Sequence, residues 1–143
     1  MPSTKFIAIV PQKVQPGDRI RLKGKLESTA EEFSINFANE ACPFPQNITY
    51  HFKWLLHENV IVENYKDNGS WMDHQEIDYN KLDGPDFALE FAFQDDGIYV
   101  YLVEDGGHNI ITHYEPLFEL SDIKTVQVWG DVEKITEVSF MYK

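Results

Sequence analysis

Residues 48–71 read ITYHFKWLLHENVIVENYKDNGSW and carry the pattern that decides the fold. Apolar side chains occupy every second position through 48–54, which is the period of a β-strand with one buried face. A second alternating segment follows at 60–64, and the short connection between the two segments indicates an antiparallel pair. On the first strand, His51 and Lys53 would then project together, away from the core.

The same alternation recurs along the whole chain, whereas no helix-period stretch of useful length appears. The strand candidates are residues 5–10, 18–26, 32–38, 48–55, 59–64, 72–77, 86–94, 98–104, 109–114, 123–129 and 135–142. Turn signals separate them at Pro16-Gly17, Cys42-Pro43 with Pro45, Asp67-Asn68-Gly69, Asp83-Gly84-Pro85, Asp95-Asp96-Gly97, Asp105-Gly106-Gly107 and Gly130-Asp131. Short antiparallel strands without helices to cover them are buried in a two-sheet sandwich or a barrel. Residues 1–143 are predicted to form a single all-β domain.

The clearest local hairpin runs from Phe87 to Val103 across Asp95-Asp96-Gly97. We expect its aromatic residues to pair across the two strands and to pack in the core rather than to bind a ligand. These aromatic residues are Phe91, Phe93, Tyr99 and Tyr101.

Charge argues against two classes of partner. The chain has 24 acidic and 12 basic residues, a formal net charge of -12, which opposes binding to nucleic acid and to anionic lipid. Four basic residues alternate on one predicted strand face, namely Arg19, Arg21, Lys23 and Lys25. A solvated face that balances the acidic remainder is the first interpretation of this stripe, and an acidic partner is the second.

The compartment is inferred from cysteine usage and from the N-terminal segment. Cys42 is the single cysteine, and the segment MPSTKFIAIVPQ lacks the apolar core and cleavage site of a signal peptide. No apolar run is long enough to insert into a membrane. We therefore expect a cytoplasmic protein, with export by a signal-peptide-independent route as the alternative. The sequons at Asn47 and Asn68 are then interpreted as chance matches.

Motifs for catalysis, metals and cofactors are missing from the sequence. The five histidines form no zinc-ligand spacing, and the acidic turns do not follow a calcium-loop pattern. There is no Gly-rich phosphate loop and no nucleophile elbow. We expect no metal, no cofactor and no enzymatic activity, although sequence alone leaves open a pair of distant carboxylates for glycoside hydrolysis.

The combination of His51, Val62-x-Asn64 and Trp71 resembles the signature of the galectin family. The likeness extends to residues 16–24, 33–37 and 123–131 and so covers nearly the whole chain. It implies a jelly-roll β-sandwich of two antiparallel sheets, similar to galectins and concanavalin. It also implies metal-independent binding of β-galactosides.

In that family the histidine, together with a following asparagine and arginine, holds the axial hydroxyl of galactose. The asparagine of Val-x-Asn holds the primary hydroxyl, and the tryptophan stacks on the sugar face. Matching by position gives His51, Asn64 and Trp71 as carbohydrate-binding residues. Lys53 stands where the family has asparagine, and Leu55 where it has the arginine.

A second departure follows the tryptophan, where His74 replaces the family's glutamate and Glu76 replaces an arginine found in many members. The resemblance therefore implies a lectin with altered or weakened lactose recognition, in which Lys53, His74 and Glu76 complete the site. The alternative is a protein-interaction module that retains the sandwich without sugar binding. A homodimer formed through edge strands is compatible with either function.

Overall fold

The structure is a computed structural model that describes residues 4–82 and 84–143. Within these residues the chain forms twelve β-strands and one 3₁₀ turn at Leu120–Asp122, and no α-helix. The strands are β1 (Thr4–Ile9), β2 (Arg19–Leu26), β3 (Glu32–Ala38), β4 (Ile48–Leu55), β5 (Val60–Asp67), β6 (Ser70–Trp71), β7 (Gln75–Asp78), β8 (Asp86–Gln94), β9 (Gly97–Glu104), β10 (Gly107–Tyr114), β11 (Thr125–Gly130) and β12 (Val132–Met141). Asp83, in one predicted turn, and residues 1–3 of the N-terminal segment lie outside the described residues.

The strands form two antiparallel sheets. The seven-stranded sheet has the order β1-β11-β3-β4-β5-β6, and β7 pairs with β5 beside β6. The five-stranded sheet has the order β10-β9-β8-β2-β12. The predicted adjacency of β4 and β5 is confirmed, since His51 lies opposite Asn64 in their register. None of the described helical segments is long and apolar enough to cross a bilayer.

The core lies between the sheets and is rich in aromatic rings. Phe33 of β3 and Phe87 of β8 approach with ring centroids 4.7 Å apart, and Phe37 approaches Phe91 at the same distance. Such pairs stabilise a core beyond the burial of their area. Because alternate residues of each strand supply these rings, the intervening residues are left on the outer faces.

One polar cluster is enclosed within this apolar layer. The buried carboxylate of Glu63 accepts hydrogen bonds from the Tyr50 hydroxyl and, at 3.2 Å, from the Thr112 hydroxyl of the opposite sheet. Burial raises the pKa of Glu63 and also that of Tyr50. The cluster ties β5 to β10 with its polar atoms hydrogen-bonded.

The hairpin of β8 and β9 forms as predicted, but its aromatic residues do not pair across the strands. The turn sets Gln94 opposite Gly97, so Phe93 faces Ile98 and Phe91 faces Val100. This register places odd-numbered residues opposite even-numbered ones. The two phenylalanines therefore enter the core, whereas Tyr99 and Tyr101 lie on the outer face beside His113 and His108.

The predicted strand 72–77 is wrong as a single element. Asn68 and Gly69 have φ of 50° and 84°, the left-handed conformations of a tight hairpin turn, so the chain turns back early and pairs through β6. The chain then leaves the ladder and pairs again with β5 through β7. This arrangement places Trp71 in the short returning strand β6, at the edge of the sheet.

The basic stripe of β2 lies on the outer face of the five-stranded sheet, and each member forms an ion pair with an acidic residue on a neighbouring strand. The N···O distances are 3.0 Å for Arg19–Glu90, 2.7 Å for Arg21–Glu90, 3.8 Å for Lys23–Glu137 and 3.5 Å for Lys25–Glu133. These pairs fit the interpretation of a face that balances acidic residues within the chain.

Candidate functional site

A cleft of about 220 Å³ lies on the outer face of the seven-stranded sheet and crosses most of its strands. Its lining includes His51 and Lys53 from β4, Lys66 from β5, Trp71 from β6 and Trp129 from β11. Small-molecule sites are typically larger, about 300–1,000 Å³. The cleft therefore suits a ligand part of one or two rings in size.

His51 forms part of the cleft wall and is held in one tautomer. Only 8% of its surface is exposed, and burial, with Lys53 the next contribution, lowers its pKa to about 3. The ring is therefore neutral near pH 7. Its Nδ1 lies 2.5 Å from Asn36 Oδ1, while Asn36 Nδ2 donates to the Ser34 hydroxyl. Because an amide oxygen only accepts, Nδ1 carries the proton and Nε2 is left as an acceptor.

Trp71 presents the main aromatic surface of the cleft. The residue is 44% exposed, and its ring centroid lies 4.4 Å from that of His51 with an interplanar angle of 47° between the rings. The Nζ of Lys66, its register partner, lies 5.3 Å from the indole centroid. These contacts hold the indole in place while leaving part of it accessible.

Asn64 lies beside His51 and is oriented by the backbone. Its Oδ1 accepts hydrogen bonds from the amides of Tyr65 and Asp73 at 2.8 and 2.7 Å. Among the described residues, no fully buried side-chain nitrogen or oxygen lacks a hydrogen-bond partner. Asn64 Nδ2 donates to no other described residue; although Asn64 is only 6% exposed, this atom retains some contact with solvent and can donate to a ligand.

Comparison with known proteins decides the family. Residues 5–140 match the family model described as galactoside-binding lectin. The chain belongs to this family. The jelly-roll sandwich of two antiparallel sheets implied by the resemblance is likewise confirmed.

Two relatives illustrate the sequence similarity to other lectins. The chain is 26% identical to human galectin-7 over 129 residues, which cover 87% of this chain and 88% of galectin-7. It is 24% identical to a 32 kDa β-galactoside-binding lectin of Caenorhabditis elegans over 128 residues. That match covers 89% of this chain and 44% of the relative, so the chain spans less than half the length of the nematode protein.

Two solved structures share the fold. Sheep galectin-11, in a complex with glycerol, gives a TM-score of 0.79 at 18% identity and covers 99% of both chains. A human galectin-16 variant gives 0.76 at 20% identity, covering 94% of this chain and 93% of its own. At these identities the likeness establishes the fold.

The lectin signature is only partly assembled in the cleft. Of the six sequence-predicted residues, His51, Lys53 and Trp71 line it, and Asn64 adjoins His51 on the same sheet face. His74 and Glu76 lie outside the lining and pair with each other, with His74 Nε2 2.7 Å from Glu76 Oε2.

The two departures on β4 have different structural outcomes. Lys53 is engaged by Glu32 of β3, with Nζ 3.2 Å from the carboxylate. Leu55 ends the strand as a half-buried aliphatic side chain at the position of the family's arginine. The planar guanidinium expected from the galectin signature therefore has no counterpart on this strand.

Several lining residues were not predicted from the sequence. They include Glu32, Phe44, Lys66 and Trp129, and the buried Asn36 supports the site through its hydrogen bond with His51. Asn36 faces His51 and Trp129 faces Ser34 in the strand registers. Alternation on β3 indicated which residues share a face, but the register that brings β11 beside β3 is a long-range property. Among the described residues, no cluster of three His, Cys, Asp or Glu side chains could hold a metal ion.

Proposed function

We propose that this lectin-family chain binds a saccharide in the cleft, with Trp71 as the stacking platform. The observation that carries the proposal is the exposed indole of Trp71, held 4.4 Å from the neutral ring of His51. A flat aromatic surface matches the C–H face of a pyranose, and a fixed acceptor beside it matches a hydroxyl.

Polar groups around the indole supply the hydrogen bonds of the proposed complex. His51 Nε2 accepts from a sugar hydroxyl, and Asn64 Nδ2 donates to another. Lys53, and Lys66 above the indole, provide ammonium donors at the cleft wall. His74 and Glu76 lie beyond the wall and contact only a saccharide that extends past Trp71.

Lactose recognition is proposed to be weak because Leu55 cannot donate a hydrogen bond. A hydrogen bond to a charged group contributes about 1.5–3 kcal/mol. Its loss corresponds to roughly a ten- to hundredfold reduction in affinity. Lys53 does not replace a guanidinium, because its ammonium is a single flexible point charge that is already paired with Glu32.

The second candidate function is a protein-interaction module without sugar binding, and one observation favours it. Strand β1 is an edge of the seven-stranded sheet and exposes Ile7 and Ile9. An exposed edge with apolar side chains is suited to pairing with another chain, including a second copy in a homodimer.

A glycan array followed by titration calorimetry on the strongest hit tests the first proposal. We expect Trp71→Ala to weaken binding by about tenfold or more, equivalent to about 1.4 kcal/mol. Met72→Ala is the matched control, because Met72 is the next residue and is also exposed but does not line the cleft. Absence of any glycan signal, or equal effects of the two substitutions, would favour the interaction module.

The same glycan distinguishes a lectin from a hydrolase. We expect it to be recovered unchanged after prolonged incubation with the protein, as measured by chromatography of the released sugars. Hydrolysis that persists in highly purified protein would contradict the proposal of a non-enzymatic lectin.

A further inference from the structure

The two ends of the cleft differ in chemistry. The end at Trp71 carries the neutral imidazole of His51 and the ammonium groups of Lys53 and Lys66. The other end is lined largely by apolar groups from two separate parts of the chain. They include Pro43 and Phe44 from the loop before β4, and Trp129 from β11.

Phe44 is held in an exposed position by an ordered loop. Its side chain is 67% exposed. The carboxylate of Glu40 spans the loop, accepting from the amide of Gln46 at 2.7 Å and from Asn47 Nδ2 at 2.8 Å. Gln127 Nε2 donates to the carbonyl of Cys42 at 2.8 Å. These bonds tie the loop to itself and to β11, so the exposure of Phe44 follows from the loop structure.

Trp129 offers a carbon surface rather than a donor. Its indole Nε1 already donates to Gln127 Oε1 at 3.0 Å, and its ring centroid lies 6.3 Å from that of His51. Its register partner on β3 is Ser34, which in turn faces Lys53 on β4. The small Ser34 side chain therefore separates Trp129 from the lysine across the floor of the sheet.

We propose that Phe44 and Trp129 form a second binding position, which takes an aryl or acyl substituent carried by the saccharide stacked on Trp71. This inference rests on the proposed function. An apolar group suits this end because the indole N–H of Trp129 is already hydrogen-bonded and both rings present carbon surface. Binding such a group therefore leaves no buried donor without a partner. A cleft of about 220 Å³ accommodates such a group together with part of one sugar ring.

Matched pairs of methyl and phenyl glycosides test the position. We would titrate ¹⁵N-labelled protein with the methyl and phenyl β-glycosides of galactose, glucose and N-acetylglucosamine and follow amide chemical shifts. For the sugar that binds, we expect the phenyl glycoside to bind about tenfold more tightly than the methyl glycoside, as burial of an aromatic ring predicts.

Phe44→Ser is expected to reduce the ratio of phenyl to methyl glycoside affinity from about ten to about one. Leu117→Ser is the matched control, because Leu117 is 75% exposed and lies outside the cleft. Trp129→Leu, checked by thermal unfolding, is expected to reduce the advantage as well.

The outcomes separate this inference from the function on which it rests. Equal affinity for methyl and phenyl glycosides would overturn the second position and leave saccharide binding intact. Failure of every glycoside to bind would overturn both. A wild-type dimer that Phe44→Ser converts to a monomer in sedimentation experiments would assign the apolar end to a second copy of the chain and overturn the proposal.

Discussion

The outer faces of the two sheets arise from the same alternation but hold their polar side chains in different ways. On the five-stranded sheet, Glu90 is 1% exposed and is paired with both Arg19 and Arg21. On the seven-stranded sheet, the cleft also holds a charged pair, Lys53 with Glu32, but Asn36 positions the neutral His51 without satisfying its Nε2. Paired charges satisfy each other, whereas the neutral side chains of His51 and Asn64 keep an acceptor and a donor available for a ligand.

The largest expected effect on stability comes from removing the carboxylate of Glu90, which pairs with two arginines on the five-stranded sheet. We expect Glu90→Ala to lower the free energy of unfolding by about 3 kcal/mol, at the low end of values for removing one member of a buried pair because both arginines remain partly solvated. Urea denaturation measures this change. Glu137→Ala, which removes an exposed partner of Lys23, is the control, with an expected cost of about 0–1 kcal/mol.

Glycan affinity of the Glu90→Ala protein distinguishes the two faces further. It is expected to match wild type under conditions where the variant is folded. A selective loss of glycan binding in the folded variant would show that the two outer faces are coupled.

The next effect would come from adding a guanidinium to the cleft-bearing face of the seven-stranded sheet. We expect Leu55→Arg combined with His74→Glu to strengthen lactose binding about ten- to hundredfold, because the pair supplies the guanidinium and the carboxylate implied by the galectin signature. Calorimetric titration with lactose gives the measurement. Leu117→Arg with His74→Glu controls for the added charge, and a similar gain in that control would refute the assignment of Leu55.

The smallest effect concerns protonation of His51. The folded pKa of about 3 lies below the ordinary value of 6.5, so the unfolded chain takes up this proton first as the pH falls. The contribution of His51 to stability is therefore complete above about pH 6.5 and declines towards pH 3. Between pH 7.5 and 5.0 it should decline by about 1–2 kcal/mol.

Substitution separates the contribution of His51 to stability from those of the other titrating groups. His51→Gln is expected to reduce the stability difference between pH 7.5 and 5.0 by that amount in urea titrations. Trp71→Ala, which uncovers the ring, is expected to reduce the difference by less. Identical pH dependence in all three proteins would contradict burial as the cause of the lowered pKa.

Much of the fold followed from local pattern. The strand 48–55 was predicted with its observed bounds because apolar alternation and flanking turns agree there. The hairpin at Asp95-Asp96 was also predicted, but its register was not. Whether Phe91 meets Tyr101 or Val100 depends on the turn geometry, and a shift of one residue changes every cross-strand pair.

The candidate site likewise contains residues that the sequence predicted and residues that it did not. His51, Asn64 and Trp71 could be named from their spacing because they lie on the consecutive strands β4, β5 and β6, each of which pairs with the next. Phe44 and Trp129 could not be assigned to the cleft, since one belongs to a loop and the other to a strand distant in the chain.

The sequence by itself determined the all-β class, the buried faces of most strands and the residues that carry the lectin resemblance, because these depend on period and spacing. The tertiary structure decided what surrounds those residues: the amide that fixes the His51 tautomer, the glutamate that engages Lys53 and the aromatic end of the cleft. The first two contacts depend on the register of the consecutive strands β3 and β4, and the third on the long-range pairing of β11 with β3; the local pattern of apolar residues fixes neither.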